Sequence, residues 1–139
     1  MSEDRSNLKK KILSVVVSVY NEEQALKECY TEMKRVLDTL SWDHELIFVN
    51  DGSSDGSLEV LKALASEDQK VKLISFSRNF GHEAAMIAGL DYSTGDGVVC
   101  MDADLQHPPE CLPRIITEQG DNDVSALIDA ADQIGRAHV

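Results

Sequence analysis

Asp102, Asp104 and Gln106 stand at alternate positions directly behind the apolar run Gly97-Val98-Val99-Cys100-Met101 and ahead of the stop His107-Pro108-Pro109. The run reads as a buried strand, so it delivers two carboxylates and an amide to its carboxyl end. In open α/β sheets that end forms the ligand crevice, and acidic side chains gathered there are better explained by a bound cation than by folding. These oxygen donors suit a hard divalent ion, Mg²⁺ or Mn²⁺, which keeps waters and shares its shell with substrate phosphates. Such an ion would serve a nucleotide diphosphate. An isolated Asp-x-Asp is also a common turn or helix cap, and Glu110 behind Pro108-Pro109 suits the first turn of a helix. The preceding segments weigh between the two.

Three strand–loop–helix units precede this one. Ile12 to Val19 is β-branched and almost uninterrupted, as in a strand buried on both faces of a parallel sheet. It ends in Tyr20-Asn21-Glu22-Glu23, with Asn21 the expected N-cap of a helix carrying Ala25, Leu26, Cys29, Met33, Val36, Leu37 and Leu40 at helical spacing. Asp43 to Val49 reads as a second strand. It stops at the turn-rich Asn50-Asp51-Gly52-Ser53-Ser54-Asp55-Gly56-Ser57, and Leu58, Leu61 and Leu64 continue as a helix. Val71 to Phe76 gives a third strand, followed by Ser77-Arg78-Asn79-Phe80-Gly81-His82-Glu83. The helix beyond bears Ala84, Ala85, Ile87, Ala88 and Leu90 and is closed by Gly95. With a last helix from Pro109, four βα units account for residues 12 to about 119. This alternation predicts an α/β fold with a parallel sheet and right-handed crossovers. All four strand-end motifs then share one edge: Tyr20-Asn21-Glu22, Asp51, Arg78-Asn79, and Asp102 with Asp104. Each alone reads as a cap, a turn or a solvated loop, and their convergence is what points to a site. His107 reads as a turn residue, and His44 and His138 have no convincing partners.

At 139 residues the chain has the length of one domain. A net charge of −12 excludes a nucleic-acid partner of the usual kind, which needs clustered Lys and Arg, so a phosphorylated substrate would need a metal bridge. No apolar run approaches the ~20 residues that span a bilayer. Residues 1–11 form a polar segment without the apolar centre of a secretory signal, which favours the cytoplasmic side. Cys29, Cys100 and Cys111 are odd in number and lack metal-type spacing, as expected of reduced packing residues.

Val16-Val17-Ser18-Val19-Tyr20-Asn21-Glu22-Glu23, Val49-Asn50-Asp51-Gly52-Ser53-Ser54-Asp55, Arg78-Asn79-Phe80-Gly81 and Met101-Asp102-Ala103-Asp104-Leu105-Gln106-His107-Pro108-Pro109-Glu110 together resemble the family 2 glycosyltransferases. The match is nearest the polyprenyl-phosphate branch, that of dolichyl-phosphate mannosyltransferase and the bacterial undecaprenyl-phosphate glucosyltransferases. The resemblance implies a GT-A (Rossmann-like) fold, with residues 12–124 as its nucleotide-sugar-binding half. It implies a UDP- or GDP-sugar donor, a polyprenyl-phosphate acceptor at a membrane surface, and membrane association of a full-length enzyme. It also implies that Asp51, with Tyr20 and Glu22, lines the nucleotide base pocket. Asn21, Ser53, Arg78, Asn79, Gly81 and Ala103 complete the substrate-binding set. Asp102, Asp104 and Gln106 would hold the metal on the donor diphosphate, the two aspartates being the catalytic pair. Two positions depart from the family pattern: Ser18, where proline is usual, and His82, where many relatives carry lysine, so that a direct charge on the donor phosphates is missing or comes from Arg78.

Other readings stay open. A receiver-type signalling domain also gathers acids around Mg²⁺, but it needs an acid pair after the first strand and a lysine after a late one, and neither is present. A donor-binding module without turnover, or a family 2 enzyme with a saccharide acceptor, fits the same motifs. Residues 125–139 carry no family motif and are expected to be a truncated or non-native tail; the final Gln133-Ile134-Gly135-Arg136-Ala137-His138-Val139 matches one reading frame of a sequencing-adapter oligonucleotide. Lacking an acceptor half, the fourth strand is expected near an unprotected sheet edge, leaving the chain marginally stable and prone to association.

Overall fold

The first strand, β1 (Ile12–Val19), sits at the centre of the sheet because every one of its residues after Ile12 is buried. The computed structural model describes residues 11–103 and the backbone of residues 115–117. The further elements are α1 (Leu26–Leu37), β2 (Asp43–Asn50), α2 (Ser57–Glu67), β3 (Val71–Ser75), α3 (His82–Tyr92), β4 (Gly97–Asp102) and β5 (Ile115–Thr117). The strand order is β3-β2-β1-β4-β5, with parallel pairing except between β4 and β5. Val15 of β1 lies opposite Leu46 of β2 and Val99 of β4.

Two apolar layers follow from the period-2 alternation of the strands. Leu13, Val15, Val17 and Val19 pack with Leu26, Cys29, Met33, Leu37 and Leu61 under α1 and α2, whereas Val16, Ile47, Val49, Val98 and Cys100 pack with Ala85 and Met86 of α3. Each such side chain contributes roughly 1.5–3 kcal/mol relative to exposure. Helix α3 approaches β1 so closely that a Cβ on Gly89 would lie 2.2 Å from Val16 Cγ1, which is why its small residues matter.

The site-bearing strand β4 is held in register at its amino end. Asp96 N donates to Ile12 O at 2.7 Å, and Ile12 N donates back to Asp96 Oδ2 at 2.8 Å. Next to this pair the buried Glu45 accepts from Ser14 Oγ at 2.6 Å, Thr94 N at 2.8 Å and Thr94 Oγ1 at 3.1 Å. A buried carboxylate without such donors would be costly, so the network fixes the approach to β4, and Asp102 emerges level with Ser18 of β1.

Several expectations about the elements need correction. Residues 115–117 are not helical: these β-branched residues pair antiparallel to β4, Ile115 opposite Val99, where a helix from Pro109 to about 119 was expected. Strand β4 is consequently paired on both sides, and the described edge strands are β3 and β5. Helix α1 ends at Leu37 rather than reaching Leu40, because Thr39 N and Leu40 N donate three residues back, to Val36 O and Leu37 O, and tighten the last turn. Helix α3 ends at Tyr92 with Ser93 N and Oγ on Leu90 O, so Gly95 is no cap. A Cβ on Gly95 would lie 2.4 Å from Ser14 Oγ, and the glycine instead lets the chain pass the sheet.

His44 does have a partner. It is buried at the amino end of β2, and its Nε2 accepts from Lys34 Nζ at 2.8 Å. The same ammonium lies 3.1 Å from Asp68 Oδ2, to which Tyr30 Oη donates at 2.7 Å, and Lys70 pairs with Asp43 alongside. Burial, reinforced by the nearby Lys34 charge, holds the His44 pKa below its ordinary value of 6.5. Burial would raise Asp68, but hydrogen bonds from Tyr30, Lys70 N and Lys34 outweigh it and bring the carboxyl down to about 2. Burial and the bond to Asp68 push Tyr30 up to about 12. Both His44 and Asp68 titrate lower in the folded chain than in the unfolded one, so both lend stability that is lost on acidification. Urea midpoints should fall below pH 6.5 as the unfolded chain protonates His44, and fall again below pH 3.8 through Asp68. His44→Gln, which keeps an acceptor for Lys34, should remove the first stage; a parent-like fall between pH 7 and about 5 in that variant would refute the assignment.

Candidate active site

Parallel pairing brings the carboxyl ends of β1 to β4 to one edge, and hydrogen bonds join the loops that leave them. The first loop turns at Asn21, whose φ of 54° is a left-handed conformation that asparagine tolerates. The sequence reading made Asn21 the N-cap of α1, and the structure corrects it. That position falls to Ala25, which makes no side-chain cap, while Ala25 N and Leu26 N donate to Glu22 O at 3.0 and 3.1 Å. Asn21 reaches across to the second loop instead. Asn21 N donates to Ser53 Oγ at 2.9 Å, and Asn21 Oδ1 accepts from Ser54 N at 2.8 Å and Asp55 N at 3.3 Å.

The same two loops are joined again one turn on. Glu22 N donates to Ser57 Oγ at 3.0 Å, Glu23 N to Asp55 Oδ2 at 3.2 Å, and Gly56 N to Glu23 Oε1 at 2.9 Å. The Glu23 carboxylate therefore lies at the amino end of α2, where the helix dipole favours negative charge. Burial acts to raise the Asp55 pKa, but hydrogen bonds from Ser57 and from neighbouring amides prevail and hold it below the usual carboxylate value.

Asp51 ties the second loop to the third. It is 2% exposed, and its carboxylate accepts from Phe80 N at 2.7 Å, Gly81 N at 3.1 Å and Asn79 Nδ2 at 3.1 Å. Gly52, at φ 69°, lies so close to the third loop that a Cβ would fall 2.1 Å from the carbonyl carbon of Arg78. Only glycine fits there. The Arg78 guanidinium stacks 4.6 Å above the Phe80 ring, which meets Phe76 edge-on at 5.5 Å. Phe80 and Tyr20 are about half exposed, so the rim presents aromatic faces and a cation.

Asp102, the last residue of β4, closes the arrangement. Its Oδ1 lies 3.2 Å from His82 Nδ1 at the start of α3, and Ala103 N donates to Ser18 O at 3.1 Å. Ser18 keeps its backbone N–H, which a proline would lack, in a strand paired on both sides. Tyr20, Asn21, Glu22, Asp51, Ser53, Arg78, Asn79, Gly81, Asp102 and Ala103 thus sit on one edge, joined loop to loop. Asp104 and Gln106 lie outside the described residues. Among the described residues no group of three His, Cys, Asp or Glu side chains is placed to hold a metal. The Asp102 carboxylate is a partly exposed oxygen donor at the strand end and fits one ligand position of a hard cation. Sequence reasoning missed Glu23, Asp55 and Ser57 as loop fasteners, and gave His82 no contact with Asp102. Their partners lie about twenty to thirty-five residues away, beyond any local pattern.

A mostly parallel sheet with acidic and amide groups at its carboxyl edge and helices on both faces has the GT-A architecture. A mannosyltransferase, PcManGT from Pyrobaculum calidifontis in complex with GDP-Man and Mn²⁺, superposes with a TM-score of 0.58 at 22% identity, over 70% of this chain and 28% of its own. S. aureus TarS 1-349 in complex with UDP-GlcNAc gives 0.60 at 22% identity, over 88% and 31%. The profile of Glycosyl transferase family 2 matches residues 14–137, and the chain belongs to that family. It is 50% identical to the uncharacterized glycosyltransferase YkcC of Bacillus subtilis (strain 168) over 74% of this chain and 32% of the relative. It is 44% identical to the bactoprenol glucosyl transferase of Shigella phage SfX, over 75% and 34%. It is 43% identical to the undecaprenyl-phosphate 4-deoxy-4-formamido-L-arabinose transferase of Aeromonas hydrophila, over 76% and 33%. The chain spans about a third of the length of these relatives.

Asp51→Ala should loosen the third loop, since it leaves Phe80 N and Gly81 N without their acceptor and Asn79 Nδ2 with the backbone carbonyl of residue 51 alone. The loss should be roughly 1–3 kcal/mol in urea denaturation. Asp51→Asn, which keeps one acceptor oxygen, should lose less. An Asp51→Ala chain as stable as the parent would show that the carboxylate does not hold the loop.

Proposed function

We propose that this chain supplies the donor-binding part of a glycosyltransferase that moves a sugar from a UDP- or GDP-sugar to a polyprenyl phosphate with the help of Mg²⁺ or Mn²⁺. The observation that carries this reading is Asp102 at the end of β4, on the edge where the Asn21, Asp51 and Arg78 loops meet. Relatives named for bactoprenol and undecaprenyl phosphate support the acceptor class. Tyr20, Glu22 and Asp51 line the nucleoside pocket, Asp51 chiefly by fixing the loop that carries Arg78 and Phe80. Asn21, Ser53, Asn79, Gly81 and Ala103 shape its walls. Asp102, with Asp104 and Gln106, holds the ion, which when bound offsets the charge of the leaving diphosphate. A phosphomonoester acceptor has a second pKa near ~6 and is already ionised at neutral pH, so the acceptor needs no general base. That accords with a set of candidates without a dedicated histidine base. The acceptor places the reaction at a membrane surface on the cytoplasmic side; no helix among the described residues is long and apolar enough to cross a membrane.

Calorimetric titration with UDP and GDP, each with Mn²⁺ and with EDTA, tests the reading. Binding should require the ion and favour one nucleotide, which identifies the donor class. Asp104→Asn should abolish ion-dependent binding and Cys111→Ser should leave it intact. Equal affinity in EDTA, or parent-like binding by Asp104→Asn, would overturn the site.

A further inference from the structure

The buried acid that follows β2 and the partly exposed acid that ends β4 are linked across β1 by one short segment. Asp51 fixes the amides of Phe80 and Gly81, Gly81 sits at φ 109° as the N-cap of α3, and the next residue, His82, brings Nδ1 to 3.2 Å from Asp102 Oδ1. The His82 backbone is thus held at two points, by the Asp51 carboxylate before it and by the packing of Ala85, Met86 and Gly89 on the sheet after it. A side chain at the first position of a helix ordinarily turns to solvent. Here the imidazole is only one-third exposed and Asp102 about one-quarter exposed, so the contact is sheltered. The plane of a carboxylate at a strand end is set by what lies beside it, and the His82 imidazole, 3.2 Å from Oδ1, is placed to do this.

We propose that His82 is a positioning residue for Asp102: its Nδ1–H holds Oδ1, sets the plane of the carboxylate and so presents it to the cation. The inference rests on the proposed function in taking Asp102 as a cation ligand. It assigns His82 no part in the chemistry and no contact with substrate. Partners of this kind typically change metal affinity about 10- to 100-fold when removed.

Mn²⁺ binding to the full 139-residue chain, followed by the electron paramagnetic resonance of the free ion without nucleotide, tests the inference. His82→Ala should weaken Mn²⁺ about 10- to 100-fold. His82→Asn should restore most of that loss, because its amide nitrogen stands the same number of bonds from Cα as Nδ1 and can donate in its place. Asp102→Asn should weaken binding at least as far as His82→Ala. Long-range ¹H–¹⁵N spectra of the metal-free chain give a second readout. His82 Nδ1 should bear a hydrogen, and Asp102→Asn should move its signal. His82→Ala binding Mn²⁺ within about twofold of the parent, while Asp102→Asn does not, overturns the positioning role and leaves the ion site standing. Parent-like Mn²⁺ binding by Asp102→Asn overturns both. A His82→Asn chain as weak as His82→Ala, or an Nδ1 that bears no hydrogen, also refutes the role, because the effect would then lie in packing.

Discussion

A buried carboxylate must find donors, and the way Asp51 finds them organises the functional edge. Water is excluded from its side chain, and an unsatisfied charge there would cost far more than any single apolar contact returns. Two backbone amides and one side-chain amide of the third loop meet that need. Because two of the donors belong to the main chain, the loop is held at the level of its backbone. That fixes where α3 begins and which way Arg78, Phe80 and His82 leave it. The glycine after Asp51 is part of the same constraint, since only a residue without Cβ lets the two loops approach.

A second set of bonds does for the first two loops what Asp51 does for the second and third. Asn21, Glu23, Asp55 and Ser57 trade donors and acceptors across the β1 and β2 exits, mostly between a side chain on one loop and a backbone group on the other. Loops at a sheet edge are ordinarily the softest part of an α/β domain. Here they are joined loop to loop, and the edge is preorganised on rigid elements. The division of labour is between fasteners, whose polar atoms are already engaged, and presenters such as Tyr20, Arg78, Phe80 and Asp102, which retain exposed surface.

The other end of the sheet has a quieter task. Glu45 and Asp96 join the start of β4 to β1 and β2, and they do so with charged side chains at positions a strand reading would assign to packing. Their effect is felt one strand length away, where the register they set decides that Asp102 stands level with Ser18. The His44–Lys34–Asp68 group at the same end stabilises the α1–β2–α2 corner.

Much of the fold was legible in the chain because strands and helices are written locally. The unbroken β-branched run of β1, the helical spacing of Leu26, Cys29, Met33 and Leu37, and the turn-rich segment after β2 each carry their signal within a dozen residues. The motifs at the strand ends could be placed on one edge from the alternation of elements alone. What the chain did not reveal is everything that depends on which strands are neighbours. The antiparallel β5 against β4, the cross-loop partners of Asn21 and Glu23, the amide cradle of Asp51 and the contact of His82 with Asp102 join residues 16 or more positions apart. Local composition offers Asn21 a helix to cap and leaves residues 115–117 within a helix. Only strand order and register bring the actual partners within hydrogen-bonding distance, and once there the need to satisfy buried polar groups overrides local preference.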